Sequence, residues 1–396
     1  MLSPTLATLP TKLEDPITKI KNRHVDLLVN REVADRLRVR SHIIQCMRDF
    51  FIKDNFLEVQ TPLITDKASV AIAKSFKTVA TEFSDKELAL RIAPELWLKR
   101  LVIGGMDRVF EIGPSFRNEG LDATHNPEFT TCEFYKSYTD LQNLMGMTEE
   151  LFTSIASKVK SLREKSLRAI PEFDQSLVAT PFNRIEFIPG IEGAMGLKLP
   201  DLAAEDATER LIDLFNQQNH PLPARPTLPR LLDRLASIYI EPLCTSATFI
   251  IHHPACMAPL AKSFKCPKTQ QLVSARAELF IQSHEIANMY EEENSPFEQR
   301  AKFVQQGKFI DEENEGYVDE SYLSALESAL PPTGGWGAGI DRIVMLFSGT
   351  KRIADVLSFG SLRNVVYLGN TSPIPEESEA GAAIDMPQDK PAAETK

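Results

Sequence analysis

Residues 116–135 read Phe116-Arg117-Asn118-Glu119-Gly120 and then LDATHNPEFTTCEFY. The segment before them, Arg108 to Gly113, alternates apolar and polar through Val109, Phe110, Glu111 and Ile112. The segment after the loop, Glu128 to Tyr138, carries Phe129, Cys132, Phe134, Tyr135 and Tyr138. Period-two patterning on both sides of a polar loop predicts two antiparallel strands joined by a long connection. One Arg-Asn-Glu triplet reads equally well as a solvated loop. The whole run does more, because a hairpin of this kind can hold an arginine against a phosphate while an aromatic ring stacks on a base.

Outward from the hairpin the pattern is helical. Val33, Leu37, Ile44, Met47 and Phe51 predict one apolar stripe on a helix that begins near Asn30, and Phe56 to Thr61 predicts a short strand stopped by Pro62. Residues 140–170 read as helix through Leu144, Met147, Leu151, Ile155 and Val159. A mostly helical segment follows from Leu202 to Leu243, broken by Pro221, Pro223, Pro226 and Pro229. Sheet returns from Leu272 to Asn288, with helices near residues 296–306 and 320–330. The final run is Gly334-Gly335-Trp336-Gly337-Ala338-Gly339-Ile340-Asp341-Arg342, leading into an apolar helix from Ile343 to Phe347. Glycines there let a nucleotide approach backbone, with Asp341 near a helix start. Residues 1–13 read as a flexible start, and 371–396, rich in Pro, Glu and Ala, as a disordered tail.

Composition narrows the class. The chain has 396 residues, 43% hydrophobic and 25% charged, the balance of an ordinary globular protein, with no apolar run of membrane-span length. A net charge of −11 argues against binding nucleic acid through the overall field, although Lys12 to Arg40 forms a locally basic segment. Five scattered cysteines suit a reducing compartment. His252-His253, Cys256 and Cys266 lack the close paired spacing of a structural zinc site and read as core or surface residues.

The hairpin run resembles the second signature of class II aminoacyl-tRNA synthetases, and within that class the lysyl-tRNA synthetases. Arg91-Ile92-Ala93-Pro94-Glu95-Leu96-Trp97-Leu98-Lys99, Gly104-Gly105 and His125-Asn126-Pro127-Glu128-Phe129-Thr130 all stand as that family has them. The helix-strand-proline unit ending at Pro62 resembles the first signature, which implies a homodimer interface, and Gly334 to Arg342 the third. The likeness covers roughly residues 14–369 and is closest in wording to the mitochondrial type. It implies an α+β fold: the class II catalytic domain over 14–370, a mostly antiparallel sheet flanked by helices, with a helical insertion at about 200–245. The compartment implied is the mitochondrial matrix, with the cytoplasm as the alternative.

The resemblance also implies roles. Arg117 and Arg342 are the catalytic charges, Arg342 on the γ-phosphate and Arg117 on the α-phosphate of ATP. His125 meets phosphate, Phe129 stacks on adenine, Glu119 contacts adenine or the tRNA end, and Asn126 belongs to the ATP site. Glu278 and Glu285 hold Mg²⁺, a hard cation that prefers oxygen ligands. Their odd spacing places them on opposite faces of a flat strand, so a turn or bulge has to intervene for them to converge. Lysine falls to Glu95 (α-ammonium), Arg117 and Asn288 (carboxylate), and Glu133, Tyr135 and Glu292 (ε-ammonium). The expected activity is lysine–tRNA ligation, with the tRNA acceptor end as partner and no membrane.

Two departures bear on that expectation. The family places an oligonucleotide-binding barrel before the catalytic domain. This chain starts at the linker that follows such a barrel, near Lys12-Leu13-Glu14-Asp15, and is expected to lack it. The family's Gly-Gly-Ala is replaced by Ser69-Val70-Ala71, where a branched side chain stiffens a loop over the amino-acid pocket. Besides lysine–tRNA ligation, the sequence therefore admits a lysyl-adenylate enzyme with a protein or small-molecule acceptor, or a non-catalytic paralogue.

Overall fold

The computed structural model describes residues 9–66, 73–309 and 318–368. Ser69-Val70-Ala71, residues 1–8 and the tail from Thr371 lie outside them. An eight-stranded sheet organises the molecule: β1 (Leu57–Glu58), β2 (Arg108–Phe116), β3 (Glu128–Ser137), β4 (Asn183–Glu186), β5 (Thr248–Ile251), β6 (Arg276–Ile281), β7 (His284–Glu291) and β8 (Thr333–Gly339). In space they run β1-β2-β3-β8-β7-β6-β5-β4. Neighbours are antiparallel except β1–β2 and β4–β5 at the two ends.

Strand period assigns the two faces. Cys132, Phe134, Ala287, Met289, Trp336 and Ala338 point into one core, closed by the helices α1 (Arg31–Lys53), α3 (Leu141–Lys165) and α8 (Ile340–Ser348). Phe134 and Trp336 stack with centroids 5.3 Å apart, and the Trp336 indole N–H donates to Thr148 at 3.1 Å. Burial of each such side chain contributes about 1.5–3 kcal/mol. The alternate residues Phe129, Thr131, Glu133, Tyr135, Asn288, Tyr290, Gly335 and Gly337 face the other way and line a cavity.

That second face is covered by two helical groups. The helices α2 (Glu95–Ile103), α6 (Pro296–Gly307) and α7 (Glu320–Leu326) bury Leu98, Val102, Phe303 and Tyr322 against Val109 and Tyr135. The helices α4 (Ala207–Gln217) and α5 (Leu228–Tyr239) bury Leu211, Phe215, Leu231 and Leu235 with Ile250 and Phe280. Pro221, Pro223 and Pro226 lie between α4 and α5, whereas Pro229 sits in the first turn of α5, where a proline leaves no helical bond unmade.

One local expectation is corrected. The buried row of α1 is Val33, Val39, Ile43, Met47 and Phe51, with Leu37 and Ile44 only half-buried. The i, i+4 row from Val39 to Phe51 is the one that fits between α3 and α8. Glu111, the polar position in the alternation of β2, is 3% exposed. It pairs with Arg91 at 2.6 Å and accepts from the Thr61 hydroxyl at 2.7 Å, because both faces of β2 are covered.

Candidate active site

The β2–β3 loop is shaped by its own backbone. The Arg117 N–H donates to the Pro127 carbonyl at 2.8 Å, carrying the ladder one step past the strands. Asp122 accepts from the Thr124 and His125 amides at 2.7 and 2.8 Å, an Asx turn that fixes the loop tip. A cavity of about 370 Å³ opens between this loop, the inward residues of β3, β7 and β8, and the start of α8. Of the residues expected in the site it brings together Glu95, Arg117, Glu119, His125, Asn126, Phe129, Glu133, Tyr135, Glu285, Asn288 and Arg342. Glu292 lies at the floor against Gly335, while Glu278 lines a neighbouring cavity of about 300 Å³.

One end of the cavity is cationic. The Arg117 guanidinium lies 5.2 Å from the Phe129 ring centroid. Arg342 donates to the Glu285 carbonyl at 2.9 Å and to His125 Nε2, also at 2.9 Å. Nε2 is thus an acceptor, so the ring proton sits on Nδ1, which faces Asp122 at 2.8 Å. Asn126 donates to the Glu128 carbonyl at 2.6 Å and accepts from the Leu362 amide at 2.9 Å, so it braces the loop. Asp341 pairs with Arg40 and accepts from the Thr130 amide at 3.0 Å. Arg40 also donates to the Thr130 hydroxyl at 2.9 Å. These bonds fix the first turn of α8, from which Arg342 projects.

The opposite end is acidic and buried. Glu133 is pushed up to about 8 by burial and then by the neighbouring Glu95. Burial and Glu95 also push Glu292 up, against the pull of Lys99. Lys99 is fully buried, 2.8 Å from Glu95 and 2.5 Å from Glu292. Burial disfavours its charge, but the two carboxylates outweigh this and hold the ammonium protonated. Tyr290 donates to Glu95 at 2.5 Å, and Tyr135 to Glu133 at 3.3 Å.

Glu278 and Glu285 occupy two strands of a hairpin, turned by Gln282 and Ser283 at φ values of 53° and 61°. Leu279 is opposite Ala287 and Phe280 is opposite Glu285, so Ile286 is an extra residue. This bulge brings Glu285 to the face that holds Glu278, the intervention their spacing demanded. Burial raises Glu285 and Glu278 raises it further, whereas Arg276 and His253 outweigh burial to hold Glu278 below the usual carboxylate range. His253 Nε2 lies 3.0 Å from Glu278. Among the described residues no three His, Cys, Asp or Glu side chains gather to hold a metal by themselves.

Sequence reasoning did not single out Lys99, Tyr290 or the close approach at Gly335. Lys99 sits in Leu96-Trp97-Leu98-Lys99-Arg100, which reads as an amphipathic helix with a solvated lysine. The signal available was position alone, one turn after Glu95.

Comparison with known proteins places the chain in a family. The family model described as tRNA synthetases class II (D, K and N) matches residues 15–363. A probable cytoplasmic lysine–tRNA ligase of Encephalitozoon cuniculi is 40% identical over 377 residues, covering 92% of this chain and 73% of that protein. The mitochondrial lysine–tRNA ligase of Schizosaccharomyces pombe is 40% identical over 373 residues, covering 92% and 68%. A lysine–tRNA ligase of Lactococcus lactis is 38% identical over 373 residues, covering 91% and 72%. Likeness on that scale, over nearly the whole chain, makes the chain a member of the class II tRNA synthetases (D, K and N).

Proposed function

We propose that the protein activates lysine with ATP and transfers the lysyl group to the 3′ end of a tRNA. One observation carries the reading: a single cavity has two arginines and a histidine at one end and a buried cluster of glutamates at the other. Triphosphate suits the first end and an ammonium-bearing side chain the second. Burying an ammonium requires ionised, hydrogen-bonded partners; Glu95, Glu133 and Glu292 are the carboxyls in place, and Glu133, pushed up to about 8, gives up a proton as the ammonium arrives.

In the first step a carboxylate oxygen of lysine attacks the α-phosphorus of ATP, and the bond to pyrophosphate breaks. In the second, a ribose hydroxyl of the tRNA end attacks the acyl carbon and AMP leaves. Neither step needs a protein nucleophile, so catalysis rests on positioning and charge. Arg117 holds the lysine carboxylate and α-phosphate with Asn288 beside it. Arg342 holds the outer phosphates, with His125 orienting its guanidinium through Nε2, and Phe129 stacks on adenine, with Glu119 at the adenine or tRNA end.

Glu285 and Glu278 fit Mg²⁺. Burial and Glu278 raise the proton affinity of Glu285, an effect that a bound cation would relieve, and Mg²⁺ commonly completes its shell with water and substrate phosphate. The ion supplies charge neutralisation on the triphosphate.

A homodimer fits the surface near the end of α1. Ile52, Leu57, Leu63 and Ile64 are between 41% and 56% exposed, and β1 is an unpaired sheet edge. Among the described residues no helix is long and apolar enough to cross a membrane. Relatives are named for both the mitochondrion and the cytoplasm, and the mitochondrial matrix is the compartment to test first.

The test is ATP–pyrophosphate exchange with lysine, ornithine, arginine and neutral amino acids, followed by charging of tRNA(Lys). Exchange with lysine alone and formation of lysyl-tRNA support the proposal. Exchange without charging redirects the search to another acceptor, and absence of exchange with every amino acid refutes it.

A further inference from the structure

The amino-acid pocket already contains an ammonium. Lys99 is held by Glu95 at 2.8 Å and Glu292 at 2.5 Å. The rings of Tyr135, Tyr290 and Tyr322 surround it at 5.9, 5.7 and 5.9 Å. The charged and titratable groups facing this cluster are Glu95 and Lys99 from α2, Glu133 and Tyr135 from β3, Tyr290 and Glu292 from the end of β7, and Tyr322 from α7. Arg91 and Arg117 act on Glu133 from farther off. Once all three carboxyls are ionised, they and the one fixed ammonium leave two negative charges, equal to the α- and ε-ammonium groups of a diamino acid.

We infer that Lys99 is a built-in counter-charge, a positioning residue that sets the pocket to the charge of a substrate with two ammonium groups and holds Glu292 where it meets the side chain. The inference deepens the lysine reading and rests on it. With Lys99 present, an amino acid bearing two ammonium groups neutralises the pocket, whereas a neutral side chain leaves one carboxylate without a partner. Without Lys99 the same three carboxylates are one charge in excess, and one more of them must hold a proton.

The test compares Lys99→Met and Lys99→Arg with the wild type. Exchange kinetics give the KM for lysine from pH 6 to pH 9, and thermal unfolding is followed over the same range and down to pH 5.5. An extra proton must leave the Lys99→Met pocket before lysine binds. Its KM therefore falls more steeply with rising pH, by about tenfold more per unit, while kcat at saturating lysine changes little. The extra carboxyl has its folded pKa raised above its unfolded value. Lys99→Met is therefore close to wild type in stability in acid and loses ground as pH rises. Lys99→Arg keeps wild-type slopes in both measurements. Parallel KM profiles, or a stability loss that is the same at every pH including 5.5, overturn the inference and leave Lys99 as packing alone. Wild-type protein that shows no lysine-dependent exchange refutes the functional proposal instead, and the unfolding comparison still decides the counter-charge.

Discussion

Replacing Gly335 by alanine places a methyl group where the lysine pocket has no room. The added Cβ falls 1.9 Å from Glu292 Oε1 and 2.6 Å from Tyr135 Cε1, whereas ordinary contact begins near 3.4 Å. Backbone retreat is blocked, because Gly335 is paired with Tyr290 on one side and Tyr135 on the other in the middle of the sheet. The Glu292 carboxylate therefore moves by about 1.5 Å, which breaks its 2.5 Å contact with Lys99. Separating a buried ion pair costs about 3–5 kcal/mol, a loss of about 10² to 5 × 10³ in kcat/KM for lysine where the cost falls on substrate binding. Steady-state exchange kinetics measure it, with circular dichroism to establish folding. Gly337→Ala is the comparison: its Cβ is 3.3 Å from Glu133 Cγ, a contact a small side-chain shift relieves, and its effect stays under about tenfold. A folded Gly335→Ala protein with lysine kinetics within tenfold of wild type refutes the placement of Glu292 as the floor of the pocket.

Because Glu133 is pushed from 4.5 up to about 8, it must lose a proton to meet an ammonium. The KM for lysine falls as pH rises from 6.5 to about 8, a trend that Glu133→Gln flattens in exchange assays. The same raised value stabilises the protonated, ligand-free fold. That contribution is whole below pH 4.5 and fades as pH climbs through about 8, a slope visible in calorimetry of wild type against Glu133→Gln. Arg342→Ala lowers kcat for exchange by about 10²–10³ while lysine affinity by calorimetry stays within a few-fold, since Arg342 touches only the phosphate end. Asp341→Ala strands the Arg40 charge and destabilises by about 3–5 kcal/mol in chemical denaturation. Arg40→Met in the same background recovers part of that loss, as a double-mutant cycle reads.

Local chemistry made the β2–β3 hairpin legible, since Val109, Phe110, Cys132 and Phe134 carry the strand period. It also brought Arg117, His125 and Phe129 to the page as one loop. The pair Glu278 and Glu285 was legible only as a condition, because the bulge at Ile286 depends on pairing with β6 rather than on the identity of Ile286. Lys99 was hidden for a similar reason. Its helix looks solvated until α7 and the end of β7 cover it, and only sheet register brings Glu292 to its side. The burial of Glu111 could not be read either, because one strand's alternation does not say how many faces are covered. The family resemblance supplied roles for the site residues, but the internal charge balance of the pocket came from geometry alone.

The strand order also bears on how the chain is made. β8, residues 333–339, lies between β3 and β7 and is the only strand joining the two halves of the eight-stranded sheet. A ribosome releases it after all the others. Until then β3 and β7 each offer an unpaired edge, and Trp336 is missing from the aromatic stack on Phe134. Exposed edges of that kind recruit other chains. Synthesis that stops short of residue 333 therefore yields two half-sheets prone to aggregation, and the strand that completes the cavity is also the one that closes both open edges.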